Sequence, residues 1–224
     1  MKRDGLTFFG VITFLAVTAA LAMAFLVAPP ERTMGDVQRI FYFHVASAWN
    51  AFLAFAVVAV AGVMYLRTRE RRWDLLGYSS AEVGVLFTTV VLLTGPIWGK
   101  FAWLTWWTWD PRLTTTLILW FIYVAYLVVR SSAEGSEAQA RLAAVFGIIG
   151  FVDVPIVFVS ARWWRSIHPV PITTAGIAME PLMVAALVVS VLAFTALYIY
   201  LLNVRLRMER LSAEIAGLKA ELRG

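Results

Sequence analysis

Residues 41–66 of the 224-residue chain read FYFHVASAWNAFLAFAVVAVAGVMYL, 26 positions without a formal charge. An α-helix rises about 1.5 Å per residue, and the hydrocarbon core of a bilayer is about 30 Å thick. This run is therefore long enough to cross a membrane as one helix. It is also much longer than an ordinary strand. The stretch predicts a transmembrane helix and indicates that the chain is a helical membrane protein.

Apolar runs of similar length recur on both sides of it. They cover residues 6–28, 78–98, 113–129, 142–161 and 181–202. Apolar residues make up 61% of the chain and charged residues 15%, against roughly 45–50% and about 25% in soluble domains. We therefore expect an all-α integral membrane bundle of six transmembrane helices over residues 1–202, with a tail over 203–224. This composition excludes a cytosolic enzyme and a nucleic-acid binder.

The distribution of positive charge predicts how the bundle is oriented. Six spans create two sets of connections, and 13 of the 19 Lys and Arg residues fall on the set that includes both termini. Lys and Arg are enriched on the cytoplasmic side of membrane proteins. Both termini should therefore be cytoplasmic. The formal net charge of +5 then reflects topology and contact with anionic membrane lipid, with no nucleic-acid partner.

The tail changes character after the last span. Its apolar residues are separated by alternating steps of four and three in a charged background, which predicts an amphipathic helix on the cytoplasmic side. The stripe spans fewer than three heptads, which is short for an independent coiled coil. One interpretation is a last span extended into water or onto the headgroups, and the other is a helix that docks a partner or pairs with itself. The stripe consists of Val204, Met208, Leu211, Ile215, Leu218 and Leu222.

A tryptophan-rich segment joins the third and fourth spans. Residues 98–112 read WGKFAWLTWWTWDPR and contain five of the ten tryptophans of the chain. The parity of the spans places this segment on the outer side, together with Trp163 and Trp164. An aromatic belt at the membrane interface is one interpretation. The other is a binding platform, because Trp103, Trp106, Trp107 and Asp110 would form one aromatic stripe if the segment were an interfacial helix.

A flat aromatic ligand such as a porphyrin would find stacking surfaces on such a platform. Its iron would need axial ligands, for which histidine imidazole is the commonest protein choice. The chain has two histidines, His44 and His168, and both fall on the outer side. Taken singly, His44 could hydrogen-bond at a helix start and His168 could be an ordinary loop residue. Their coincidence with the tryptophans favours bis-imidazole ligation of haem iron.

Arginines near these residues are candidates to bind the propionates of haem. Arg39 precedes His44 and Arg112 follows Asp110, whereas Arg162 and Arg165 rank below them. Arginine can hold a carboxylate through two parallel hydrogen bonds. Binding of lipid phosphates, or pairing with nearby acids, is the alternative for all four. The absence of cysteine excludes disulfides, cysteine-bound zinc, iron–sulfur clusters and thioether attachment of haem to this chain.

Two acidic residues have competing interpretations. Asp110 precedes Pro111, a pair that is typical of a helix N-cap and first turn, so we expect Asp110 to cap the fourth span. Asp153 lies within the fifth span, where an acid costs a few kcal/mol unless it is neutral or paired. It could relay protons, or it could hydrogen-bond inside a span that Pro155 kinks.

The chain resembles the haem-handling, tryptophan-rich WWD-domain membrane proteins of cytochrome c biogenesis. The residues that carry the resemblance are RIFYFH at 39–44, GPIWGK at 95–100, WWTWDPRLT at 106–114 and WWRSIH at 163–168. The six-span layout extends the likeness over residues 6–202. Leu104 stands where the family pattern has glycine, and Pro111 where it has alanine.

The resemblance implies a function and a set of site residues. His44 and His168 would be axial ligands of a non-covalently and transiently bound haem b, and Arg39 and Arg112 would contact its propionates. The protein would present haem at the outer face of a bacterial cytoplasmic (inner) membrane. It would deliver the haem to a periplasmic haem chaperone, together with a small membrane subunit and an ABC transporter. The platform would comprise Trp103, Trp106, Trp107, Trp109 and Asp110.

Two other functions remain open from the residues alone. A permease subunit that moves haem or another amphiphile would want a polar path through the bilayer, and Asp153 is the residue that favours it. A b-type electron-transfer subunit would also bind haem between histidines, but normally deep between helices. The sequence has no recognisable nucleophile or nucleotide motif, so we expect an assembly or transport factor rather than an enzyme.

Overall fold

The computed structural model describes residues 3–131, 137–164, 166, 168, 172–173, 176–177 and 179–222. Within these residues, six helical segments are long and apolar enough to cross a membrane, which confirms the predicted fold class. The first span is α1 (Arg3–Ala22), extended by a π-helical turn (Met23–Val27). The remaining helices are α2 (Arg39–Thr68), α3 (Arg71–Trp103), α4 (Pro111–Ser131), α5 (Glu137–Phe151), α6 (Asp153–Trp163) and α7 (Pro181–Glu221).

The connections contain little regular structure. A short 3₁₀ turn, Asp36–Gln38, leads into α2. Between α6 and α7, the two-residue strand Ile172–Thr173 pairs antiparallel with Gly176–Ile177. Several helices extend beyond the apolar runs that predicted them: α3 begins at Arg71, for example, rather than at residue 78. Helical hydrogen bonding continues into water, whereas an apolar run marks only the part that meets lipid.

Helix α2 is the centre of the bundle and packs against α3, α5 and α7, while α1 packs against α7. In the core, the rings of Phe55 and Tyr123 stack with centroids 3.6 Å apart. The Tyr123 hydroxyl donates a 3.0 Å hydrogen bond to the carbonyl of Gly147. Helix packing is close because glycine faces these rings: a Cβ added at Gly84 would lie 2.5 Å from the Phe55 ring.

Two ion pairs join helices at the end of the bundle that carries the termini. Arg130, at the end of α4, forms hydrogen bonds of 2.9 and 2.6 Å with both carboxylate oxygens of Asp74 on α3. Arg205 on α7 binds Glu82 on α3 in the same two-pronged way. Both pairs tie α3 to a later helix, so they fix the relative height of neighbouring spans.

The fifth span is broken near its middle, as its proline suggests. Helix α5 ends at Phe151, Val152 forms a turn and α6 starts at Asp153. Pro155 removes the backbone donor that would have bonded to the Phe151 carbonyl. The Oδ2 atom of Asp153 is buried and has no hydrogen-bond partner among the described residues. The break therefore places inside a membrane span a carboxylate oxygen that none of the described residues pairs with.

The sixth span and the described part of the tail form one helix. α7 runs from Pro181 to Glu221 over 41 residues without interruption. The prediction that the tail is helical is confirmed, and the helix continues the last span rather than starting after a turn. Apolar side chains of the tail remain exposed along its length.

Candidate functional site

Both histidines lie at the end of the bundle that carries the tryptophan-rich segment. His44 occupies the second turn of α2, and His168 follows α6 in the connection to α7. His44 is within electrostatic range of both His168 and Arg112. The fold thus brings together three predicted site residues that are far apart in the sequence. We call this end of the bundle the tryptophan end.

His44 is held by Thr94 on α3. The Nδ1 atom of His44 lies 2.9 Å from Oγ1 of Thr94, and that hydroxyl lies 2.7 Å from the carbonyl oxygen of Val90. The hydroxyl has one proton, which it donates to Val90, so toward His44 it acts as an acceptor. We therefore assign the ring proton of His44 to Nδ1, which leaves the lone pair on Nε2. Such a second partner orients a metal-binding histidine in many proteins.

Glycine makes room for the His44 ring. A Cβ built on Gly95 would lie 3.4 Å from Cε1 of His44, so the ring rests against the backbone of α3. One turn later, Gly99 is buried, and a Cβ there would lie 3.3 Å from the Trp103 ring. Gly95 thus lets α3 approach the His44 ring, and Gly99 leaves room for the Trp103 ring to lie against its own helix.

The segment after α3 is not a helix, so the single stripe that Trp103, Trp106, Trp107 and Asp110 would form on an interfacial helix is not present. α3 ends at Trp103, and Leu104 adopts a left-handed conformation with φ 60° and ψ 17°. Residues 105–110 are not helical, and a new helix starts at Pro111. Left-handed backbone ends a helix and redirects the chain. Glycine is favoured at such a position because it has no Cβ.

Trp103 is the platform tryptophan that contacts a histidine. Its ring centroid lies 6.1 Å from that of His168, at an interplanar angle of 59°. On its other side, Trp98 meets it edge to face at 5.0 Å. The indole Nε1 of Trp98 is buried and has no hydrogen-bond partner among the described residues. These three aromatic rings form a continuous wall beside Arg112.

The other tryptophans of the segment lie further out. Trp106 is 58% exposed and sits beneath the ammonium group of Lys100, which is 6.0 Å from its ring centroid. Trp109 is 74% exposed and packs edge to face against the half-buried Trp107 at 5.8 Å. They present apolar surface outward, a geometry compatible with an aromatic belt and with a binding platform.

Asp110 caps α4, as predicted. Its Oδ1 accepts a 3.0 Å hydrogen bond from the backbone N–H of Arg112, and its carbonyl accepts one from Thr114 at 2.9 Å. Pro111 occupies the first helical position, where its missing N–H costs nothing. The cap fixes the point at which the chain re-enters the bundle and so positions the Arg112 side chain.

Arg112 connects α4, α6 and the His168 loop. Its Nη2 donates a 2.8 Å hydrogen bond to the carbonyl of Phe158, and its Nη1 lies 3.2 Å from Nδ1 of His168. Arginine is only a donor, so His168 accepts through Nδ1 and carries its proton on Nε2. The Nε atom of Arg112 is buried with no hydrogen-bond partner among the described residues. One donor of this guanidinium is therefore available to an incoming acceptor.

Arg39 lies in a different environment. Its Nε bonds to Asp36 at 2.9 Å, and its Nη1 donates to the carbonyls of Ala24 and Ala28 at the end of the first span. Arginine near a helix C-terminus satisfies carbonyls that have no partner within the helix. The side chain thus joins the first two spans, and its predicted contact with a propionate remains a prediction.

The loop before Arg39 is closed by its own hydrogen bonds. Glu31 accepts bonds of 2.7 Å from the backbone N–H groups of Thr33 and Met34. These bonds favour the charged form and lower the pKa of the Glu31 carboxyl below its ordinary value. Gly35 has φ 56°, a conformation that the turn requires and that suits glycine.

Three groups of this site were not predictable from any sequence motif: the Thr94 hydroxyl, the Phe158 carbonyl and the Ser166 hydroxyl. Ser166 accepts a 3.0 Å hydrogen bond from the backbone N–H of His168. The only sequence signal was the Gly-Pro pair that follows Thr94 inside a span. Arg162 lies over the Phe158 ring at 5.2 Å, and Arg165 is outside the described residues.

Comparisons with known proteins identify relatives over nearly the whole chain. The family model described as "Heme exporter protein C" matches residues 1–221. Proteins of that name are 34% identical over 95% of this chain and 87% of their own in Haemophilus influenzae, and 32% identical over 88% and 80% in Escherichia coli K12. A ccmC-like mitochondrial protein of cytochrome c biosynthesis from Marchantia polymorpha is 38% identical over 66% of this chain. The chain spans 63% of the length of that mitochondrial relative.

Proposed function

The chain belongs to the heme exporter protein C family, and from that membership we propose that it holds haem b at the tryptophan end and delivers it to a periplasmic haem chaperone. Family membership establishes a role in haem handling for cytochrome c biogenesis. The proposal adds non-covalent binding, the ligands and the recipient. The observation that carries it is the convergence of His44, His168 and Arg112 at one end of the bundle.

His44 is suited to bind haem iron as the structure stands. Its Nδ1 proton is directed to Thr94, so the lone pair on Nε2 is free for a metal. Neutral imidazole is the form that ligates iron. His44 also lies near the start of its helix rather than deep between helices, and this position suits a ligand that must be released.

His168 would become available only when Arg112 moves. Ligation through Nδ1 needs the lone pair that Arg112 now occupies. Ligation through Nε2 needs the ring proton to shift to Nδ1. The Nδ1–H of His168 and the Nη1–H of Arg112 would then be two donors facing each other. Either way the bond between Arg112 and His168 has to break. In our proposal, the carboxylate of a haem propionate draws the guanidinium away and so frees the second ligand.

The residues present fit haem on three counts. Two imidazoles supply axial donors, and Trp98 and Trp103 supply aromatic surface. The Nε of Arg112, which has no partner in the described part of the chain, supplies a donor for a carboxylate. When bound, haem would be the cargo of the protein. The chain has no cysteine that could attach it covalently.

Optical spectroscopy of the purified protein with haem tests the proposal. We expect a six-coordinate, low-spin spectrum in the wild type. His44→Ala should lose most of the bound haem, and His168→Ala should leave a five-coordinate, high-spin form. Arg162→Ala is a matched control at the same end of the bundle and should keep the wild-type spectrum. Unchanged spectra in both histidine variants would refute the ligand assignment.

The proposed orientation and partners follow from the charge pattern and from the family. With both termini in the cytoplasm, the tryptophan end faces the periplasm of a bacterium, where a haem chaperone could reach the exposed Trp106 and Trp109. A small membrane subunit and an ABC transporter would complete the system. Single cysteines introduced at Trp109 and at Ser212, labelled from outside intact spheroplasts, would test the orientation. Only the first should react.

A permease function is the second candidate, and the break at Asp153 favours it. Within the described residues, Oδ2 of Asp153 is buried without a partner. A charge inside a span costs free energy, so such a residue either serves a pathway or stays protonated. Asp153→Asn keeps the shape and removes the charge. If this variant binds haem with the wild-type spectrum but no longer loads the chaperone in cells, a step inside the membrane gains support. Normal loading would leave Asp153 a structural role at the helix break.

A further inference from the structure

The described part of the tail carries an apolar stripe that the rest of the described chain does not cover. The stripe residues are large, and about half or more of each side chain is exposed. A soluble surface scatters such residues singly, whereas a continuous stripe marks an interaction site. The exposed fractions are 51% for Met208, 46% for Leu211, 52% for Ile215, 60% for Leu218 and 87% for Leu222.

The geometry of α7 argues against burial of this stripe in the membrane surface. The helix has 41 residues, so it is about 60 Å long, twice the roughly 30 Å of hydrocarbon. Proline occurs only at its first position, Pro181, and the helix is unbroken to Glu221. A helix lying in the headgroup plane would need a bend after the span. The unbroken continuation instead carries the stripe away from the bilayer into water.

The spacing of the stripe is that of a two-stranded coiled coil. Met208, Ile215 and Leu222 fall at a positions of a heptad, and Leu211 and Leu218 at d positions. Only Ile215 of the three a residues is β-branched, and a β-branched residue at a with leucine at d favours a parallel dimer. Copies of a membrane protein inserted in one orientation project their tails to the same side. Their tails can therefore pair only in parallel, in agreement with the residues of the seam.

Charges beside the seam are complementary between two such tails. In a parallel pair, the g position of one helix faces the e position of the next heptad on the other. Glu214 occupies g and Lys219 the following e, so two Glu–Lys pairs form across the dimer. The preceding g residue, Arg207, faces the neutral Ser212. No like charges oppose each other at these positions.

We propose that two copies of this chain associate through their cytoplasmic tails as a short parallel coiled coil over residues 204–222. Fewer than three heptads would pair weakly as free peptides. Here each tail is tethered to a membrane bundle, and confinement of both copies to one membrane raises their effective concentration. This inference is independent of the haem site.

Cysteine cross-linking tests the proposal directly, because the chain has no cysteine of its own. Leu211→Cys and Leu218→Cys place a thiol at d, where the two backbones come close enough for a disulfide. Ala213→Cys places it at f on the opposite face and is the matched control. Oxidised membranes should give a dimer band at least fivefold stronger for the d variants. Equal bands for the d and f variants would overturn the proposal.

The charge pairs give a second, independent readout. Glu214→Lys in the Leu218→Cys background should weaken the dimer band, as should Lys219→Glu, and the combined swap should restore it. Failure of the combined swap to restore cross-linking would overturn the parallel register. A cross-linked product whose mass differs from twice that of the chain would show that the stripe docks another protein, and would likewise overturn the proposal.

Discussion

A 3.2 Å hydrogen bond joins Nη1 of Arg112 to Nδ1 of His168 and holds the histidine in a form that cannot ligate a metal without losing this bond. The same guanidinium is anchored to the Phe158 carbonyl, and its buried Nε has no partner among the residues that the structure describes. His44, by contrast, already presents the lone pair of Nε2, because its ring proton is on Nδ1 and is donated to Thr94. Of the two proposed ligands, His44 can therefore bind iron as it stands, whereas His168 must first lose its bond to Arg112. This difference leads to two tests.

The first test concerns the preference for free carboxylates. Because a hydrogen bond to a charged group contributes about 1.5–3 kcal/mol, the wild type should bind haem about 10- to 100-fold more tightly than haem whose propionates are methyl esters. With the ester, Arg112 stays on His168 and much of the iron should be five-coordinate. In Arg112→Ala the preference should vanish, and both forms should be six-coordinate. Titration followed by optical spectra measures both quantities.

Arg162→Ala serves as the control for this test because it removes the same charge at the same end of the bundle. It should keep the preference for the free acid. If Arg112→Ala retains the full preference, or if Arg162→Ala loses it equally, then Arg112 is not the residue that binds the carboxylate.

The second test concerns the proton on His44. Thr94→Val removes the acceptor for Nδ1–H with almost no change in volume, so the ring loses its fixed orientation. We expect haem affinity to fall about 10- to 100-fold, as for other residues that orient metal-binding histidines. Thr94→Ser keeps the hydroxyl and should bind nearly as well as the wild type. Equal losses in both variants would point to a packing role for the threonine methyl group.

The sequence predicted the six spans because the bilayer demands about 20 apolar residues for each crossing, and nothing else in the chain has that composition. The cap at Asp110 and the break before Pro155 were also predictable, since each depends on one or two adjacent residues. The position at which α3 ends was not predictable. The periodicity of Trp103, Trp106 and Trp107 suits a helix, yet Leu104 takes a left-handed conformation that periodicity does not detect.

The candidate site was predictable in its residue types but not in its contacts. His44 and His168 stood out because no other histidine exists in the chain. The partners that set their protonation, Thr94 and Arg112, come from other helices. Their positions depend on the packing of α2 against α3 and of α4 against α6. Arg39 shows the converse, because its proximity to His44 in sequence suggested a ligand contact, whereas the structure engages it with the end of the first span.

The ion pair between Asp74 and Arg130 should be a major source of stability at the end that carries the termini. Both side chains are largely buried, with 7% and 15% exposed, and two hydrogen bonds join them. Breaking such a pair leaves an uncompensated charge, so Asp74→Ala should cost about 3 kcal/mol of stability. Thermal unfolding in detergent measures this loss. Adding Arg130→Met should recover part of it, and a double variant no more stable than Asp74→Ala would contradict the assignment.

Leu104 should be a position where glycine is better than the natural residue. Its φ of 60° is strained for a residue with a Cβ, and its side chain is 81% exposed, so little packing is lost on removal. Leu104→Gly should therefore raise the stability of the protein by about 1 kcal/mol, seen as a higher melting temperature. Leu104→Ala removes the same exposed side chain but keeps the Cβ, and it should give no such gain. If alanine stabilises as much as glycine, the effect comes from the lost apolar surface, and the left-handed turn after Trp103 is not strained.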